Sequence, residues 1–308
     1  MGEIPSHDLA REGILFCFPD ASYRRIDRLS KHALDDFWKN PYAFVARKVA
    51  GTKPVSDDSP ALAAGRAVHA ATLTPDAFAS QYAIQPEHIK VRRGKEWELF
   101  SASAAAQDRE VIRKDDFDFA SRVAEAVAAS SNGKSLLKTV PLREVSLLWT
   151  ETTESYEAVR MKARVDFMSK NGVIVGDLKT TSDASPEAFA RDADAFGYDI
   201  QAAVYLRALR ANGFSPSVFV FLVVEKEFPF VVSSYSFDSD SEFIRAGELA
   251  FVTRIEEYAR IMRDPAGYAS RAQGWTSHNL DLPSWSKRLA ALRGRDAELA
   301  SSAIQKLI

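Results

Sequence analysis

The chain has 308 residues, of which 46% are hydrophobic and 27% charged, and its 40 Lys and Arg against 42 Asp and Glu leave a formal net charge of −2. That length fills one large domain or two small ones, and the near-neutral balance excludes a protein that coats nucleic acid by bulk positive charge. The single cysteine, Cys17, excludes an intrachain disulfide and any four-cysteine iron–sulfur or zinc site. It is expected to be a buried small hydrophobe. No apolar run reaches the roughly 18–20 residues of a membrane span, and no basic-then-apolar leader opens the chain. A cytoplasmic location without membrane contact is expected.

Residues 1–29 read as an irregular polar segment. Ser30 is a suitable N-cap for a helix over 31–48, which Pro41 divides. GTKPVSDDSP, at 51–60, reads as a loop, and the next helix starts near Pro60 with ALAAGRAVHAATL. Within it Gly65, one turn before His69, is expected to allow close packing against another element. Lys90, Arg92, Arg93, Gly94 and Lys95 mark an exposed basic loop over 85–96. Two Ala-rich helices over 96–131 follow, which Asn132-Gly133 is expected to end.

From Arg143 the pattern changes to strands: EVSLLWTE, SYEAVRMKARVDFM and GVIVGDLKT, with Asn171-Gly172 as a hairpin turn between the last two. Helices are expected over 186–193 and 198–211, broken at Phe196-Gly197, then strands over 217–225 and 229–237. A long helix over 240–263, an irregular stretch over 265–286 and a charged helix over 287–308 complete the chain. There is no internal repeat. A helical N-terminal layer leading into a mixed sheet makes an α/β protein.

The chemistry-bearing residues lie in the strands. In RMKARVDFM the period of two places Arg160, Lys162, Arg164 and Asp166 on one face and Met161, Ala163, Val165 and Phe167 on the core face. In VIVGDLK, Asp177 and Lys179 share a face, and a hairpin can bring them to Asp166. Two carboxylates can hold a magnesium ion against a phosphate, with a lysine placed to stabilise the charge that grows there. The same Asp-X-Lys spacing also fits a solvated ion pair. His69 can be a ligand through a neutral imidazole or an ordinary helix-surface histidine. Gln201 and Tyr205, at i and i+4 on one helix face, can reach a phosphate or a water, or can be boundary residues.

The order GRAVH, KARVDF, GDLKT, YDIQAAVY resembles the PD-(D/E)XK nuclease superfamily, and within it the exonuclease VIII (RecE-like) group of phage and prophage proteins, related to the RecB nuclease domain and lambda exonuclease. LSKHALDDFWKNPYAF and NLDLPSW add to the resemblance. It implies a restriction-endonuclease-like core, a mixed β-sheet flanked by helices, with the nuclease domain over 30–286. It implies magnesium, with manganese able to substitute, and 5′-to-3′ digestion of one strand of duplex DNA. His69, Asp166 and Asp177 match the metal ligands and Lys179 the catalytic lysine. Gln201 and Tyr205 match the helix motif after that lysine, and Glu144 matches an acidic position on the first core strand. Val165 replaces the proline of the family name, and Asp177 takes the Asp option of the second acid. Double-stranded DNA ends, a single-strand annealing protein and a homo-oligomeric ring are the implied partners. An endonuclease, a defence or repair nuclease and a DNA-end-binding protein without catalysis stay open on the same fold. Arg66, Arg92, Arg93, Arg160, Lys162 and Arg164 are the candidates for DNA contact.

Overall fold

The computed structural model describes residues 12–52, 60–155 and 157–271. It opens with strand β1 (Gly13–Leu15) and helix α1 (Asp20–Arg25), both inside the stretch expected to be irregular. At three and six residues they are too short to leave a periodic signal. Cys17, expected to be buried, is exposed in the turn between them with φ at +52°. Helices α2 (Lys31–Lys39) and α3 (Pro41–Val49) divide at Pro41 as expected. Ser30 Oγ accepts from Ala33 N at 3.2 Å and Asn40 Oδ1 from Ala43 N at 2.9 Å, so each helix has its own N-cap.

Helices α4 (Pro60–Leu73) and α5 (Pro75–Gln81) come next. Most of the expected loop at 51–60 lies outside the described residues. Strands β2 (Tyr82–Ile84) and β3 (Glu110–Ile112), either side of helix α6 (Lys95–Ala106), pair in parallel as a separate small sheet that the sequence pattern did not reveal. Helix α7 (Lys114–Ala129) ends at Ser130, which also caps α8 (Ser131–Thr139) by accepting from Gly133 N at 3.3 Å. Asn132-Gly133 therefore starts a helix rather than ending one. Gly133 is needed there because a Cβ would stand 2.8 Å from the Val127 carbonyl oxygen.

Strands β4 (Leu142–Thr152), β5 (Ala158–Met168) and β6 (Ile174–Thr181) follow as expected. Helices α9 (Pro186–Phe196) and α10 (Tyr198–Ala211) then carry the chain across to β7 (Val218–Glu225), before β8 (Val232–Asp238), α11 (Glu242–Met262) and α12 (Pro265–Arg271). The main sheet has the order β1-β4-β5-β6-β7-β8, antiparallel throughout except for the parallel pair β6 and β7. Helix α12 occupies the start of the stretch expected to be irregular; the expected helix over 287–308 and the NLDLPSW segment lie outside the described residues. Spatial grouping separates Met1–Ala269 from Ser270–Ile308, and almost all described residues belong to the first unit.

Helices cover both faces of the sheet. Phe219, Phe221 and Val223 of β7 pack in one core with Phe37, Phe189, Leu206 and Phe251, from α2, α9, α10 and α11. Val220, Leu222 and Val224 pack in the other with Val68, Phe78 and Val123, from α4, α5 and α7. Two covered faces explain the unbroken apolar run VFVFLVV. The architecture is the expected one: an α/β fold with a mixed sheet between helices and an N-terminal helical layer, consistent with a restriction-endonuclease-like core. Among the described residues no helix is long and apolar enough to cross a membrane.

Two glycines test the packing from opposite sides. A Cβ on Gly247 of α11 would stand 2.1 Å from the Asp199 carbonyl oxygen of α10, whereas one on Gly65 of α4 would meet no described atom within 4 Å. Gly65 thus does not serve the close packing expected of it. Gly247→Ala is expected to lower stability by about 1–3 kcal/mol, and Gly65→Ala to raise it by up to about 1 kcal/mol through helix propensity. Denaturant midpoints of the two variants, moving in opposite directions, check both.

Candidate active site

The hairpin of β5 and β6 pairs at only two rungs, Met168 with Val175 and Phe167 with Gly176. The next rung of that register sets Asp166 opposite Asp177, and there the ladder stops. Like charges directly opposite on adjacent strands repel, and the parting strands leave room between them. The Asp166 carboxylate spans part of the gap: its Oδ2 accepts from Leu178 N at 2.7 Å, in place of a ladder carbonyl. Gly176, just before Asp177, has no space for a side chain, since a Cβ would stand 2.1 Å from Val220 O and 2.3 Å from the Phe167 ring.

Across β4 the same level is occupied by Glu144, which lies opposite Asp166 in the β4–β5 register. Glu144 has φ at +49°, a left-handed backbone unusual for a non-glycine residue. Strain of this kind persists where surrounding contacts hold it, and it clusters at functional sites. The inside–outside alternation slips by one residue at this point. Met161, Ala163 and Val165 pack in the first core as expected, but Phe167 packs in the second and Met168 in the first.

Helices deliver the remaining groups from both faces of the sheet. From α4, His69 Nδ1 reaches Asp166 Oδ2 at 3.1 Å. From α10, Gln201 Oε1 accepts from Lys179 Nζ at 2.9 Å, while Gln201 Nε2 donates to Asp177 Oδ1 at 2.6 Å and to the Tyr205 hydroxyl at 3.0 Å. The Tyr205 hydroxyl donates to Asp177 Oδ1 at 3.4 Å. Lys179 Nζ meets Asp177 Oδ2 at 2.5 Å. His69, Glu144, Asp166, Asp177, Lys179, Gln201 and Tyr205 are therefore one constellation. Gln201 and Tyr205 are turned toward Asp177 and Lys179 and hold them in place.

One ligand atom each from His69, Glu144 and Asp166 lies within 4.8 Å of the others. That is close to the spread around a single ion bonded at about 2.1 Å, whose opposite ligands stand about 4.2 Å apart. Asp177 Oδ2 is buried and faces the Lys179 ammonium. A mixed imidazole and carboxylate set with the buried Asp177 carboxylate alongside fits a divalent cation. In this geometry Glu144 closes the three-ligand group and Asp177 stands beside it.

The charges are strongly coupled. Burial pushes the Glu144 carboxyl up, and the neighbouring Asp166 adds to this, to about 7. Burial also raises Asp177, again reinforced by Asp166 and opposed by Lys179. Burial would raise Asp166 too, but the charge and hydrogen bond of His69 outweigh it and hold the carboxyl low. Burial disfavours the His69 imidazolium, yet Asp166, with Asp177 and Glu144 behind it, brings His69 up to about 9.

Sequence reasoning missed two contributors. Arg164, expected to meet DNA, donates through Nε to Glu144 Oε2 at 2.7 Å and through Nη2 to the Phe18 carbonyl at 2.9 Å, and so braces the strained glutamate. Tyr198 lies beneath Lys179, with Nζ 4.8 Å from its ring centre. It stands three residues before Gln201, on the same helix face, and that spacing was the available signal.

Of the other candidates for DNA contact, Lys162, Arg66 and Arg92 have partners of their own and Arg93 and Arg160 are exposed. Lys162 is buried and donates to the carbonyls of Tyr23, Arg24 and Ile26, at 3.1, 3.4 and 2.8 Å, which fastens the end of α1 to β5. Arg66 pairs with Glu110 at 2.5 Å. Arg92 lies over Trp97, 5.3 Å from its ring. The cationic strand face expected to be open is closed by α1 up to Arg164, because the N-terminal segment folds over it. Lys162→Met is expected to lower the unfolding midpoint, at a cost of about 2–4 kcal/mol for carbonyls left without their charged donor, whereas Arg160→Ala leaves the midpoint within error.

Ligation requires a neutral imidazole, so metal and proton compete for His69. At pH 7 the ring is protonated in the metal-free protein. Manganese binding is therefore expected to release protons, and its affinity to rise with pH up to about 9, where the His69 proton leaves. Calorimetry in buffers of different ionisation heat counts the protons, and His69→Ala is expected to lower the number released at pH 7.

No curated protein matches the chain. A crystal structure of a "Putative exonuclease" from Eubacterium rectale is similar at a TM-score of 0.54 and 15% identity, over 86% of this chain and 96% of that one, which shows a shared fold. A second solved structure, SSO0001, gives a TM-score of 0.28 at 16% identity over 52% of this chain and 70% of its own, too low to carry weight. The model of one family matches residues 30–267, the span that holds the whole constellation. The chain belongs to that family, described as a PDDEXK-like domain of unknown function (DUF3799).

Proposed function

We propose that the protein is a divalent-metal-dependent exodeoxyribonuclease that degrades one strand of linear duplex DNA from an end, 5′ to 3′. The observation that carries this is the convergence of His69, Glu144 and Asp166 within 4.8 Å of one another, beside the Asp177–Lys179 pair. The family and the fold likeness to the Eubacterium rectale protein support a nuclease. The end preference, the polarity, the supply of single strands to an annealing protein in phage-type recombination and a ring-shaped homo-oligomer rest on the resemblance to the exonuclease VIII group.

His69, Glu144 and Asp166 would hold the ion, with Asp177 as the adjacent carboxylate. A bound magnesium or manganese ion supplies Lewis acidity toward a phosphoryl oxygen and a more acidic bound water. The imidazole ligand favours manganese over magnesium in affinity. Lys179 is positioned to stabilise negative charge on the phosphate as it grows. Gln201 fixes Lys179 Nζ and Asp177 Oδ1 relative to each other, so neither has to reorganise when a substrate arrives. Arg164 keeps Glu144 aimed at the same space.

Linear duplex labelled separately at its 5′ and 3′ ends, incubated with magnesium, manganese or EDTA, tests the proposal. The 5′ label is expected as mononucleotides only when metal is present, and a closed circle is expected to survive. Asp177→Ala and Lys179→Ala are expected to reduce the rate by about 10²–10³ or more. Cleavage of the circle would replace the exonuclease by an endonuclease. A folded wild type that cuts no DNA with either metal would remove the enzyme reading.

A further inference from the structure

Phe196 is 61% exposed on the side of the sheet that carries Lys179. One exposed phenylalanine is ordinary on a protein surface, but three observations set this one apart. First, its corner is braced. It is the last residue of α9; Gly197 follows at φ +62°, a conformation suited to glycine; and Lys31 Nζ donates to the Phe196 carbonyl at 3.2 Å. Second, its ring stacks on Tyr198, with 5.8 Å between centroids and 28° between planes. Tyr198 packs in turn on the buried rings of Phe189 and Phe221, at 5.9 and 5.4 Å. Third, that same Tyr198 ring carries Lys179 Nζ at 4.8 Å. Phe196 is therefore the solvent-facing end of an aromatic column whose inner part supports the lysine of the site.

We propose that the Phe196 ring is a stacking platform for an unpaired nucleobase of the DNA strand being cut, one or two nucleotides from the phosphate at Lys179. The proposal rests on the nuclease reading and deepens it. A cation for a phosphate and a flat apolar ring for a base, set side by side, match the alternation of phosphate and base along a single strand. Every base has a π face, so such a platform works without sequence preference, as a nuclease that advances along DNA requires. The stack on Tyr198 already orders the ring, so little side-chain freedom is lost when a base stacks. The ring also keeps an end nucleotide apart from its complement, because a base stacked on Phe196 is out of the duplex.

The test uses duplex DNA carrying 2-aminopurine at each of the three terminal positions in turn, bound by the full chain in calcium and in EDTA so that binding is read without cleavage. Wild type is expected to quench the probe at one position. Phe196→Ala is expected to lose that quench and to bind about tenfold more weakly, and Phe196→Trp to keep both. With an abasic nucleotide at that position, wild type and Phe196→Ala are expected to bind equally. Thermal midpoints of the variants should match wild type, because the ring is exposed. Equal quenching and affinity for wild type and Phe196→Ala on base-bearing DNA would overturn the proposal. So would a wild-type dimer that Phe196→Ala converts to monomers with DNA binding unchanged, which assigns the ring to a second copy. Wild type that quenches the probe but never cleaves in magnesium or manganese would refute the nuclease reading and leave the platform standing; wild type that binds no DNA would refute both.

Discussion

The parting of β5 and β6 after two rungs is the constraint on which the site depends. A third rung would set two aspartates face to face in a closed ladder. With the strands apart, Asp166 and Asp177 instead border a space that groups from both faces of the sheet can enter. His69 comes from the α4 side, and Gln201 and Tyr205 come from the α10 side. An unbroken hairpin would wall these two sides off from each other. The parallel pair β6 and β7, continuous over eight rungs, keeps Asp177 and Lys179 fixed while β5 diverges.

Collecting Glu144, Asp166 and Asp177 in a largely buried space is unfavourable, since burial penalises each charge and each carboxylate repels the others. The raised Glu144 and Asp177 record first the burial and then the repulsion. The imidazolium of His69 and the ammonium of Lys179 offset it in the metal-free protein. A divalent cation would do the same work with more charge and would displace the His69 proton. The strained backbone of Glu144, braced by Arg164, fits this account, because an acid held in an unfavourable conformation beside two others is retained where function needs it.

The N-terminal segment shows how the fold reassigns residues. Lys162 and Arg164 stand on the strand face where alternation puts them, beside the level of Asp166. Yet that face is an interior surface once β1 pairs with β4 and α1 lies across β5. Lys162 becomes the anchor of α1, and Arg164 becomes the support of Glu144. Alternation places a side chain on a face of the sheet; it does not say what covers that face.

The sequence by itself determined the strand and helix order over residues 142–262, the shared face of Asp177 and Lys179, and the i, i+4 pairing of Gln201 with Tyr205. Each follows from local periodicity and turn chemistry, which operate over a few residues. The motif order also pointed to a PDDEXK-type nuclease, which the family match bears out at that level. Only the tertiary structure decided that β5 and β6 separate where the two aspartates meet, that Glu144 stands with His69 and Asp166 within the span of a single ion, and that Phe196 ends an aromatic column under the lysine. Those facts depend on contacts between residues dozens of positions apart, and in particular on which helix covers which face of the sheet. No period within the chain encodes that choice.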